Sequence, residues 1–175
     1  MSYELGMLVL RLVVGGLMFG HGAQKLFGWF GGYGLDGVGG FFESQLRLRP
    51  GKFWAFLAGV SEAGGGPLVA LGLLTPLGSI GIIAAMVVAI ILSHWGKLWA
   101  QEGGSEYPLV LIAASLTVAL AGPGAWSLDA IFDISLPMPM TLIAGLILTV
   151  AGVAAALGSR ASAEPEAQRD LQRAA

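Results

Sequence analysis

The sequence predicts an all-α membrane protein: a compact transmembrane helical bundle of four core helices with a fifth helix at its C-terminal end. Three observations predict it. Of the 175 residues, 55% are hydrophobic and only 11% charged, whereas soluble domains carry about 25% charged residues. The apolar residues gather into stretches at 6–29, 53–75, 76–99, 107–122 and 139–158, and a span needs roughly 17–25 residues. Outside these stretches, lysine and arginine fall only in the 30–52 connection and the C-terminal tail.

The first stretch starts beside Glu4 with no lysine, and no small-residue cleavage site follows it, so it reads as a retained helix. The 30–52 connection holds "LDGVGGFFESQLRLRPGK", in which Phe41, Phe42, Leu46 and Leu48 beside Glu43, Arg47 and Arg49 predict a short amphipathic surface helix. The second stretch carries "GVSEAGGGP", and the third ends in "SHWGKLWAQEGG". The fourth, 107–122, reaches span length by borrowing a residue or two at its ends. The fifth is weakened by Gly145 and Gly152, but Pro137 and Pro139 suit its start. Residues 1–158 therefore read as a single transmembrane domain, followed by a polar tail at 159–175.

The fifth helix is also what the charges require. With it, Arg47, Arg49, Lys52, Arg160, Arg169 and Arg173 share one side of the membrane, opposite Glu4, Asp129 and Asp133. The positive-inside bias places that side in the cytoplasm, with the N-terminus outside and the C-terminus inside the cell membrane.

Several functions are excluded early. Without cysteine there is no thiolate metal site, iron–sulfur cluster or thiol chemistry. A net charge of −2 with no basic cluster argues against nucleic acid. Neither a P-loop nor a dinucleotide fingerprint is present.

What remains is a set of ionisable residues inside apolar segments. In the first stretch Arg11, Val14, Met18, His21 and Lys25 recur at helical spacing and form one stripe. A charge facing lipid costs about 2.5–3.5 kcal/mol on insertion scales, so the stripe should face a bundle interior. In the second stretch Glu62 shares a stripe with Ala55, Ala58, Gly59, Gly65, Gly66 and Val69, small residues that let another helix approach closely. There the carboxylate must be neutral or paired. His94 lies near the same end of the third stretch, with Lys97 three residues further on the same expected helix face. His21, Glu62 and His94 are therefore the candidate proton-transfer or ligand-contact groups, with Gln24, Lys25, Lys97, Glu106 and Tyr107 as an outer ring. Each also has a plainer reading. The histidines can simply hydrogen-bond a neighbouring helix, Lys25 and Lys97 can anchor at the interface, and the tryptophans can form an interfacial belt. Arg11 is expected to face the outer headgroups or pair with Glu4.

The order "LRLVVGGLMFGHGAQKLFGWFGG", "EAGGGPLVALGLLTPLGSIG" and "HWGKLWAQEGGSEYPLVLIAASLTVALAGPGAWSLDAIF" resembles the DoxX family of small bacterial membrane proteins. The positions carrying the resemblance are Arg11, His21, Lys25, Glu62, His94, Glu106, Gly122, Gly124 and Asp129. It implies a bundle usually of four spans, from which the 139–158 helix departs. It also implies a likeness to the DoxD-type subunit of thiosulfate:quinone oxidoreductase and to membrane partners of oxidative-stress enzymes. A quinone-linked redox subunit follows as one expectation, with the electrons supplied by a bound cofactor, itself not identified, or by a soluble or membrane redox partner. A non-enzymatic anchor, or a module binding lipid or an apolar metabolite, is a second. A metal or haem site on His21, His94 and Glu62 is a third. Assembly as a homo-oligomer stays open.

Overall fold

The computed structural model describes residues 1–161, so the polar tail beyond them lies outside the described residues. The helices are α1 (Ser2–Phe27), α2 (Gly34–Ser44), α3 (Gly51–Leu71), α4 (Thr75–Ser93), α5 (Glu106–Ala121), the single turn α6 (Leu128–Ile131) and α7 (Met140–Ala161). Three of them, α1, α4 and α7, are long and apolar enough to cross a membrane. Glycine lowers the hydropathy of α3 despite its 21 residues, and α5 is shorter, at 16.

Four helices make the core. Met7, Val14 and Met18 of α1, Val69 of α3, Ile82 and Met86 of α4, and Leu111 and Val118 of α5 form one buried cluster. Their outer faces carry exposed apolar residues, such as Leu12 and Leu17 on α1 and Phe53 and Phe56 on α3. Arg11, Glu62, Thr75, Ser79, Ser115 and Asp129 are buried instead. Oil outside and polar groups inside is the pattern that hydrocarbon solvent selects, and this is a membrane bundle.

Helix α1 packs closely along α3 because neither has side chains at the crossing. A Cβ on Gly22 would overlap the backbone of Ala63, and one on Gly66 would come within 2.6 Å of the Gly15 carbonyl. All of the small-residue stripe predicted on α3 is buried except Ala58, which is half-buried. The helix α7 rests mainly on α4, with Gly145 against Ile80, and its Ala156 joins Leu46 and Leu48 in a second apolar cluster. It therefore runs the full height of the bundle as a fifth helix outside the four-helix core.

Helix ends differ from the expected stretches where the backbone turns. The 76–99 stretch stops being helical at Ser93. His94 is the residue that ends α4, and Gly96, at φ 80°, turns the chain away. Lys97 consequently does not continue the His94 face of a helix. At the other end, Gly72 closes α3 at φ 64°, where its N–H bonds the Val69 carbonyl and Leu73 N–H bonds the Leu68 carbonyl.

Candidate functional site

A cavity of about 470 Å³ opens between α1, α3, α4, α5 and α2, at the end of the bundle where α1 finishes. His21, Lys25, Glu62, His94 and Tyr107 line its polar part. Their placement follows from the elements that carry them. His21 and Lys25 are one turn apart on α1, and Glu62 comes from the small-residue face of α3 that α1 covers.

Lys25 does not snorkel to the interface as an anchor. Its Nζ forms an ion pair with Glu62 Oε2. Glu62 is 3% exposed, so a charged carboxylate there needs that partner. His21 Nε2 lies 3.3 Å from the Tyr107 hydroxyl, their rings 5.9 Å apart. His94 Nδ1 lies 2.6 Å from the Gly103 carbonyl. A carbonyl only accepts, so Nδ1–H is the donor, and in the neutral ring Nε2 keeps a free lone pair. The site thus holds a buried ion pair and two imidazoles whose orientations are set by hydrogen bonds.

Three residues of the expected outer ring stand elsewhere. Gln24 Nε2 donates to the Phe30 carbonyl at 3.3 Å and ties the end of α1 to the following turn. The Glu106 Oε2 accepts from Ala100 N–H at 2.9 Å. Lys97 is exposed, and its backbone carbonyl accepts from Ser105 N–H and Oγ. These bonds shape the 94–106 connection, which brings Gly103 and Tyr107 to the cavity, but the three side chains do not line it. The expected metal site is not favoured by the geometry either. Among the described residues no three His, Asp or Glu side chains converge to hold a metal ion.

Sequence reasoning missed the contribution of α2. Its Val38, Phe41 and Phe42, with Leu46 beyond it, form an apolar wall of the cavity. The amphipathic spacing was visible, but not whether the apolar face met lipid or the bundle.

Of the two expectations for Arg11, facing the headgroups fails, while its electrostatic link to Glu4 stands beside a stronger one to Asp129. Arg11 is buried at the opposite end, where Nη2 donates to the Trp126 carbonyl at 2.5 Å, and Asp129 and Glu4 are the carboxylates whose charge acts on it. Asp129 holds the start of α4, with Oδ1 accepting from Leu74 N–H at 2.7 Å and Oδ2 from Thr75 N–H at 3.0 Å and Thr75 Oγ1 at 2.7 Å. Glu4 Oε2 accepts from Ala125 N–H at 2.5 Å. This second polar cluster is a clamp that ties α1, α4 and the 122–131 segment together.

The family model described as DoxX matches residues 6–95, which span α1 to α4 and include His21, Lys25, Glu62 and His94. This chain belongs to the DoxX family. Among its DoxX-like relatives, the Bacillus subtilis (strain 168) protein named "Putative oxidoreductase CatD" is 32% identical over 129 residues, covering 73% of this chain and 87% of that protein. The "Uncharacterized membrane protein Rv3486" of Mycobacterium tuberculosis is 32% identical over 132 residues, covering 69% of this chain and 77% of that protein. No solved structure matches this DoxX chain.

Proposed function

We propose that this DoxX protein is a multi-pass subunit of the bacterial plasma membrane that binds a quinone head group in the His21–Lys25–Glu62–His94–Tyr107 cavity and handles its protons. The observation that carries the reading is the convergence of these five ionisable side chains on one cavity inside an otherwise oily bundle. Its volume of about 470 Å³ falls within the roughly 300–1,000 Å³ of small-molecule sites. The donor set fits a ring with carbonyl acceptors. Lys25, the Tyr107 hydroxyl and an N–H of His21 can donate to it, while Glu62 and the bare Nε2 of His94 accept.

A quinone supplies a two-electron, two-proton couple. The chain's own part is to bind the ring, exclude lipid and hold protons. Glu62, paired with Lys25, offers a carboxylate oxygen to a proton, Tyr107 fixes the His21 ring, and Gly103 leaves His94 Nε2 as a base. The electrons come from a bound cofactor or a redox partner. The oxidoreductase name of the Bacillus subtilis relative agrees with this reading.

For membrane orientation, α1, α3, α4, α5 and α7 are proposed as five spans, with the N-terminus outside and the cavity on the cytoplasmic side. Arg47, Arg49, Lys52 and Arg160 stand at the cavity end, and Glu4, Asp129 and Asp133 at the other.

Native mass spectrometry of protein extracted in mild detergent from its own membrane tests the function. The expected result is a mass excess equal to a membrane quinone, retained in wild type and absent from Glu62→Gln. A ligand-free mass across repeated mild extractions, with added quinone giving no shift, would overturn it.

A further inference from the structure

A second hollow of about 240 Å³ lies between α3, α4 and α7. Its walls are mostly hydrocarbon, including Leu57 of α3, Ile80 and Ala84 of α4, and Leu148 and Gly152 of α7, with Ser61 and the buried, unpartnered indole N–H of Trp54 as polar points among them. The Thr149 hydroxyl is turned back to the Gly145 carbonyl of its own helix at 2.9 Å, so it offers no donor to a ligand. Phe42, Ala58, Ala85 and Val88 line both this hollow and the polar cavity. The two volumes therefore share a common wall and form adjoining compartments, one polar and one apolar.

The shape of α7 makes the second compartment. Gly145, Leu148, Thr149, Gly152 and Ala156 fall on one face of the helix. Contact closes that face at its two ends, with Gly145 on Ile80 and Ala156 beside Leu46 and Leu48. Between them a Cβ on Gly152 would meet nothing within 4 Å. Because α7 rests mainly on α4, the gap lies toward α3.

We infer that the α3–α4–α7 hollow binds the hydrocarbon tail of the same molecule whose polar head occupies the cavity, so that the site takes a long-chain amphiphilic quinone. The inference rests on the quinone reading of the cavity and adds its ligand's tail and the role of the fifth helix. A head group with no tail would leave the hollow to be filled from the bilayer. One molecule with both parts would fill both compartments, its chain leaving the ring beside the wall of Phe42, Ala58, Ala85 and Val88 that the two share.

The test measures binding of two probes to the full-length protein in nanodiscs by native mass spectrometry. One is a dimethoxy-methyl-benzoquinone without a side chain, and the other is its decyl homologue. Gly152→Phe and Ala84→Leu each fill the hollow without touching the ionisable residues. Each should cut binding of the decyl probe roughly tenfold, equivalent to about 1.4 kcal/mol, and leave the tail-less probe unchanged. That unchanged binding also shows that the variants fold. If wild type binds both probes and the variants lower neither, the tail site is overturned while the quinone reading stands. If wild type binds neither, both fall. A phospholipid held by wild type, lost from Gly152→Phe and not displaced by the decyl probe would assign the hollow to acyl chains and overturn the inference.

Discussion

Lys25 Nζ and Glu62 Oε2, 37 residues apart in the chain, meet as an ion pair at the wall of the polar cavity. Glu62 is buried there, whereas the Lys25 side chain is 25% exposed. Removing one partner therefore differs from removing both. Lys25→Met should leave an uncompensated carboxylate and destabilise the bundle by roughly 3 kcal/mol, the lower part of the range for broken buried pairs. Lys25→Met with Glu62→Gln should recover most of that loss, because no charge is then stranded. Unfolding in mixed micelles checks both values. Recovered stability without recovered quinone binding would separate the structural role of the pair from its chemical one.

The His21–Tyr107 contact predicts a smaller effect. Tyr107→Phe removes one partner of a 3.3 Å interaction at a half-exposed position, which costs stability about 1 kcal/mol at most. Quinone binding should weaken several-fold, since the imidazole loses the group that orients it. His21→Phe should weaken binding by more, and Tyr107→Phe should cost less on that background than in wild type, what remains being the hydroxyl's own bond to the ring. Binding titrations of the four combinations test the coupling.

At the opposite end, Asp129→Asn should destabilise without altering the cavity. Asparagine keeps one carbonyl acceptor but loses a cap shared by Leu74 N–H and Thr75 N–H, typically worth about 1 kcal/mol. It also removes a carboxylate whose charge acts on buried Arg11. The expected total is roughly 2–3 kcal/mol, with quinone affinity unchanged in the folded fraction. A parallel loss of affinity would show that the two polar clusters are coupled through the bundle.

The chain's lack of cysteine makes orientation simple to test. Ala125→Cys at the clamp end and Ser44→Cys at the cavity end are both exposed positions. In intact cells an impermeant maleimide should label Ala125→Cys and reach Ser44→Cys only after lysis. The reverse pattern would place the cavity outside.

Asp36 on α2 and Lys52 at the start of α3 form an exposed ion pair at 2.6 Å. The hydrogen bond from Lys52, followed by its charge, holds the Asp36 carboxyl below the usual carboxylate range. A depressed folded value means that the stabilisation is present above the unfolded pKa, about 3.9, and fades as pH falls through the lower folded one. Amide exchange in α2 should therefore quicken only under strongly acidic conditions, and Asp36→Asn should abolish that dependence. Because the pair is exposed, the change is small.

Much of this arrangement was legible in local pattern. The stripe from Arg11 to Lys25 and the small-residue face around Glu62 are periodicities of single helices, and both turned inward as charge and helix packing in lipid require. What could not be read was partnership. Lys25 near a helix end reads as a snorkelling anchor until α3 is laid beside it. Arg11 reads as a headgroup ligand until the 122–131 segment folds back over it. Lys97 seemed to share a face with His94 because nothing in "SHWGKLW" but Gly96 signals that the helix has already ended.

By itself, the sequence determined that the protein is a helical membrane bundle, which helix faces turn inward, and which ionisable groups are too costly to leave in lipid. Those are properties of one segment in one solvent, and composition and period carry them. Only the tertiary structure decided that Lys25 answers Glu62, that the apolar side of the surface helix α2 walls the cavity, and that α7 rests on α4 but stands off α3 to leave a hollow between them. Such outcomes depend on how far two helices can approach and which residues of distant segments then face each other. Glycines at the α1–α3 crossing and at position 152 set those distances, and no single segment records them.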